Sequence, residues 1–146
     1  MPDTPILDTT PVLDTLARLS DAWNAGDATA YGAEFTRDAS YVAFNGQVML
    51  GRTVIEDTHR WLFDGPLRGS RMTTTSDDAL PAAVRFLRPD VAHVLTIGAV
   101  LPAGQSTVTA DRESVVSFVV TDEGDTWRVA AFHNTRRLDP ATAAGR

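Results

Sequence analysis

Three histidines, a tyrosine and one arginine–serine step carry most of the chemistry that this chain can offer. His59 shares a helical stripe with Ile55 and Leu62. An imidazole among aliphatic neighbours in an apolar cavity resists protonation, and it can serve as base or donor near neutral pH. A hydrogen-bonded core histidine is the competing reading. His133 falls in a closing run where alternation gives it the side of Trp127, Val129 and Ala131, which makes it the second acid–base candidate. Asn134 and Thr135 beside it can orient that ring or tie down the strand end. Tyr41 adds a candidate orienting hydroxyl. Arg112, Ser114, Val116 and Phe118 alternate onto one face of a later run, with Arg112 at the end where it can receive a carboxylate or phosphopantetheine-like group. An exposed ion pair of Arg112 with Asp111 or Glu113 is the plainer alternative. Phe44, Trp61, Phe63 and Met72 supply aromatic and sulfur surface for a flat, apolar ligand, against core packing as the ordinary explanation.

Other chemistries find little support. His59, His93 and His133 can meet in space, but no pair has the four-residue helical spacing of familiar zinc sites, so no metal is expected. There is no Gly-x-Ser-x-Gly elbow for a serine nucleophile and no Gly-x-Gly-x-x-Gly phosphate loop. The chain contains no cysteine, which removes disulfides and thiolate catalysis. No cofactor is implied.

The elements that must position these residues follow from periodicity. A first amphipathic helix is predicted from Pro11 to Ala25, with Leu13, Leu16, Ser20 and Trp23 on one face. Gly26 ends it, and Asp27 caps a second helix reaching Thr36 with Ala28, Tyr31 and Phe35 as its apolar stripe. Asp38 to Phe44 reads as a strand, and Asn45-Gly46 as the hairpin turn that pairs it with Gln47 to Leu50. A third helix runs from Gly51 to Gly65-Pro66, and Val54, Thr58 and Trp61 form its neighbouring stripe. From Met72 to Leu87 the chain reads as one bent strand or two, because Asp77-Asp78 and Pro81 interrupt it. Val91–Leu101, Thr109–Thr121 and Trp127–Arg137 are three further long strands. Three helices followed by long strands bury their apolar surface most economically when the sheet curls around the helices and leaves a cone. Such a cone is a small-molecule pocket.

Composition bounds the class. The chain has 146 residues, 43% hydrophobic and 22% charged, which suits one globular domain. Residues 11–137 are read as that domain, with a flexible N-terminus over 1–10 and a flexible tail over 138–146. A net charge of −6 disfavours nucleic acid, whose phosphates need clustered cations. No run approaches the ~20 apolar residues of a membrane span. Met1-Pro2-Asp3-Thr4 lacks the basic and apolar segments of a signal peptide, so a cytoplasmic protein is expected.

Several local sequences carry a resemblance. Trp23-Asn24-Ala25-Gly26-Asp27 ends the first helix, Phe35-Thr36-Arg37-Asp38-Ala39 leads into the first strand, and Gly46 and Gly51 bracket the second. Trp127-Arg128-Val129 and Phe132-His133-Asn134-Thr135-Arg136 close the chain. Over residues 11–137 these resemble the SnoaL-like branch of the nuclear transport factor two-like superfamily, and within it the SgcJ/EcaC group of enediyne antibiotic biosynthesis. The closing His-Asn-Thr-Arg carries most of the subgroup likeness. The resemblance implies an α+β, cystatin-like fold: a curved antiparallel sheet wrapped around three N-terminal helices, with an internal pocket. It also implies a homodimer through the outer sheet face.

Chemistry does not follow from this superfold, which hosts isomerases, cyclases, dehydratases and plain binding proteins. Some members of the group are labelled oxidoreductases, and nothing in this sequence supports redox work. Ketosteroid isomerase, of the same fold, uses a carboxylate base with an oxyanion hole of Tyr and protonated Asp. Carried over by the shared Gly-Asp and Asp-Ala anchors, those positions fall near Leu19 and Ala43, neither of which transfers a proton. The reading that remains is a cone that binds an apolar polyketide- or polyene-type intermediate and assists its conversion without a cofactor, through His59, His133 and Tyr41. A non-catalytic carrier or accessory subunit of a polyketide synthase stays open beside it, as does a structural dimer whose cone is filled by its own side chains.

Overall fold

A computed structural model describes residues 6–75, 83–109 and 112–137. The termini read as flexible lie wholly or partly outside these residues, as do Asp77-Asp78, Pro81 and Asp111. Helix α1 spans Thr10–Asn24, α2 Ala28–Ala33 and α3 Arg52–Asp64. The strands are β1 Phe35–Val42, β2 Val48–Leu50, β3 Arg71–Thr75, β4 Ala83–Arg88, β5 Val91–Leu101, β6 Ser114–Asp122 and β7 Trp127–Arg136. They form one sheet in the order β2-β1-β7-β6-β5-β3, and β4 also pairs with β5. No helix among the described residues is long and apolar enough to cross a membrane.

Local chemistry explains most boundaries. Pro11 lies in the first turn of α1, where its missing N–H is no loss. Asp27 accepts from the Ala30 N–H at 3.0 Å and starts α2 one residue after Gly26 turns the chain at φ +66°. Thr15 donates to the Trp127 carbonyl at 2.8 Å, which pins the middle of α1 to the sheet. The α1 stripe of Leu13, Leu16, Ser20 and Trp23 faces the interior hollow. A second row, with Val12 and Thr15, packs into solid core, and Leu19 between the rows reaches the hollow as well.

Three sequence expectations need correction, and one open alternative is resolved. Helix α2 ends at Ala33, and Phe35 opens β1 instead of extending the helical stripe, because Phe35 pairs with Val129 of β7. That β1–β7 pairing is parallel, so the sheet is mixed rather than wholly antiparallel. The Met72–Leu87 run splits into β3 and β4, which pair with opposite halves of β5, Ile97–Leu101 and Val91–Leu95. The third correction is a bulge in β7. Val119 pairs with Ala131 but Val120 pairs with Val129, leaving Ala130 unmatched and reversing the alternation beyond it.

Helix α3 is held close to α2 by Gly32, where an added Cβ would stand 2.8 Å from the Glu56 Cβ. A Cβ is fixed to its backbone, so the two helices must separate to admit another. Gly32→Ala is expected to cost about 1–3 kcal/mol by this overpacking, read from urea unfolding. A loss below ~0.5 kcal/mol would mean the helices yield without strain.

Candidate functional site

The sheet and helices enclose a cavity of about 560 Å³. One wall is the inner row of α1, and the opposite wall is the concave face of β5, β6 and β7. Exposed Phe44, Asn45 and Gln47 of the β1–β2 turn lie at its open end. At the closed end stand Tyr41 and His59, both almost wholly buried. Trp23, Tyr31 and Phe63 pack edge-on or tilted against the His59 ring, with centroids 4.4–5.8 Å away. Tyr41 stacks at 4.0 Å on Phe132, its partner across the parallel pair.

A directed hydrogen-bond chain runs through this end. Nδ1 of His59 lies 2.7 Å from the Ile55 carbonyl. A carbonyl only accepts, so the proton of the neutral ring is on Nδ1 and Nε2 is an acceptor. Nε2 therefore receives the Tyr41 hydroxyl proton at 3.2 Å, and Tyr41 in turn accepts from Tyr31 at 3.0 Å. Burial lowers the His59 pKa to about 4, against a smaller upward pull from the Ile55 carbonyl. Burial likewise raises both tyrosines above their ordinary range; the Tyr31 bond partly offsets this for Tyr41. At neutral pH all three groups are uncharged.

Of the residues singled out by sequence, Tyr41, Phe44, His59, Met72, Arg112, Ser114, Val116 and Asn134 line the cavity. Three do not. His133 is exposed on the outer face, its Nε2 3.2 Å from the Thr135 hydroxyl, because the bulge at Ala130 turns Phe132, Asn134 and Arg136 inward in its place. Trp61 is 65% exposed on the outer side of α3. Phe63 lies one turn beyond His59 and packs into the aromatic cluster behind the ring, while Leu62 takes the cavity-facing position. Sequence reading missed Tyr31 as a polar partner and Arg136 as a wall residue. Arg136 was within reach, since it alternates with Asn134. His93, also on the outer face, is 2.7 Å from Ser117 Oγ. Among the described residues no cluster of His, Asp or Glu is arranged to hold a metal ion.

No protein-family model matches the chain, and no curated protein does. Solved structures do match. A domain of unknown function with a cystatin-like fold from Nostoc punctiforme is 28% identical, aligned over 97% of this chain and 85% of that one, with a TM-score of 0.83. An NTF2-like protein with a cystatin-like fold from Novosphingobium aromaticivorans is 22% identical over 94% and 87%, with a TM-score of 0.72. A candidate scytalone dehydratase from the same organism is 10% identical over 89% and 84%, with a TM-score of 0.71. The chain has the cystatin-like, NTF2-like fold: α+β, helices first, with a curved mixed sheet.

Proposed function

We propose that this chain binds an apolar polyketide- or polyene-type intermediate in its cone and moves a proton on it without a cofactor. The observation that carries the reading is the Tyr31–Tyr41–His59 chain at the closed end of a largely apolar cavity. An acidic ligand proton passes to the Tyr41 oxygen while the Tyr41 proton passes to Nε2 of His59. The ligand is left as an enolate-type anion beside an imidazolium whose Nδ1–H already rests on the Ile55 carbonyl. Reversal delivers the proton to the same or another ligand atom. With a pKa of about 4, charging His59 at neutral pH costs roughly 4 kcal/mol, and the adjacent ligand anion offsets part of that. Exclusion of water strengthens this pairing. The candidate scytalone dehydratase among the structural neighbours is consistent with this reaction class. The enediyne assignment rests on the closing motif, of which Phe132, Asn134 and Arg136 line the cavity.

One observation favours the carrier reading: Tyr31, Tyr41 and His59 each already have an internal partner. Solvent deuterium exchange into bound polyketide-type diketones separates the two. The wild type is expected to exchange the acidic C–H well above the buffer rate. Tyr41→Phe should cut that rate about 100-fold while ligand affinity holds. Exchange no faster than buffer in the wild type, with binding intact, makes the protein a carrier.

A further inference from the structure

We infer that the ligand of this cavity is an organic anion, bound with its apolar body inward and its charged head at the mouth between Arg112 and Arg136. The inference rests on the cavity being a binding site, as proposed above, and adds the class of ligand. The cavity wall departs sharply from the rest of the molecule in charge. The chain has nineteen acidic and thirteen basic residues, yet the only charged residues among the described cavity lining are these two arginines. The net charge of −6 repels anions at long range, so the mouth is a local reversal of sign.

The β6–β7 ladder grades the wall from apolar to cationic. Phe118 pairs with Phe132 at depth, then Val116 with Asn134, then Ser114 with Arg136. The guanidinium of Arg136 is fixed in place, donating to the Arg112 carbonyl at 2.7 Å and lying 4.4 Å over the Phe44 ring. Among the described residues neither arginine has a carboxylate partner. Two cations lining one cavity without a carboxylate partner are charges that a bound oxyanion neutralises. Two polar groups just inside them are also unsatisfied. The Ser114 hydroxyl lines the cavity and has no hydrogen-bond partner among the described residues. The Asn134 side-chain oxygen is buried with none either. Buried polar atoms are ordinarily paired, so the Asn134 oxygen points to a ligand that is polar at this depth, and the Ser114 hydroxyl on the cavity wall offers it a second polar contact. The chemistry that fits is an apolar acid with a hydroxyl or N–H near its charged end.

The test uses two probes with one apolar body, anilinonaphthalene sulfonate and its uncharged twin N-phenylnaphthylamine, titrated by fluorescence. The wild type should bind the sulfonate about tenfold more tightly, with the preference shrinking as salt is raised. Decanoate and decyl phosphate should displace the probe well below the concentration needed for decanol, and their ranking tells a carboxylate head from a phosphate. The Arg112→Gln/Arg136→Gln double variant should lose the preference and keep the neutral probe, while Arg136→Lys retains part of it. Equal affinity for both probes in the wild type, or a preference that survives the double variant, overturns the inference and leaves the cavity reading standing. If neither probe binds, the cavity reading fails and this inference fails with it.

Discussion

Trp23→Ala is expected to cost about 3–5 kcal/mol of folding free energy, the largest loss from any single truncation in the aromatic cluster. Trp23 is 5% exposed at the end of α1, with ring centroids 5.6 Å from Tyr31, 5.6 Å from His59 and 5.1 Å from Phe63. It therefore holds α1 to α2 and α3 through one side chain. Its Nε1–H donates to Ser70 at 3.1 Å, and Ser70 donates to the Leu67 carbonyl at 2.6 Å, which anchors the segment after α3. Truncation opens a void continuous with the existing cavity and removes the donor to Ser70, which keeps only its bond to Leu67. For a domain of this size the melting midpoint should fall by roughly 10 °C. Urea unfolding checks the free energy, and Trp23→Phe should recover much of it. A loss under about 1 kcal/mol would mean the three helices are held together elsewhere.

The parts of this architecture that were legible in the sequence are those that local chemistry sets. Helical spacing marked α1 and α3, Gly26-Asp27 marked the join to α2, and Asn45-Gly46 marked the β1–β2 turn. The alternation of Arg112, Ser114, Val116 and Phe118 carried through to the cavity wall because β6 keeps a regular ladder beyond Ser114. What stayed hidden depends on distant partners. Phe35 reads as a helical residue until β7 claims its backbone. A bulge of one residue at Ala130 leaves no local trace in a run of Val, Ala and Phe, yet it exchanges His133 for Asn134 at the wall. On α3 the stripe of Ile55, His59 and Leu62 does face inward, while Phe63, four residues after His59, faces the cluster instead of the hollow. Tyr31 looked apolar by spacing, and only the approach of β1 gives its hydroxyl a partner.

That partner network makes acid the second severe perturbation. His59 has a folded pKa of about 4 against about 6.5 in an unfolded chain, so between those values the unfolded state binds the extra proton. Stability is complete above pH 6.5, declines as pH falls, and has lost roughly 3 kcal/mol once pH passes through the folded value. The rings packed on His59, namely Trp23, Tyr31, Tyr41 and Phe63, carry no charge anywhere in this window, so nothing beside it neutralises an imidazolium. His59→Gln isolates the effect. It should lower stability at pH 7, because Tyr41 and the Ile55 carbonyl lose an ideal partner, and it should remove most of the decline between pH 6.5 and 4. Urea midpoints of the two proteins across that range make the comparison, with carboxylate titration common to both. Parallel curves would mean that His59 takes up a proton as readily in the folded chain as in the unfolded one, and the burial-depressed pKa assigned to it would fall with that result.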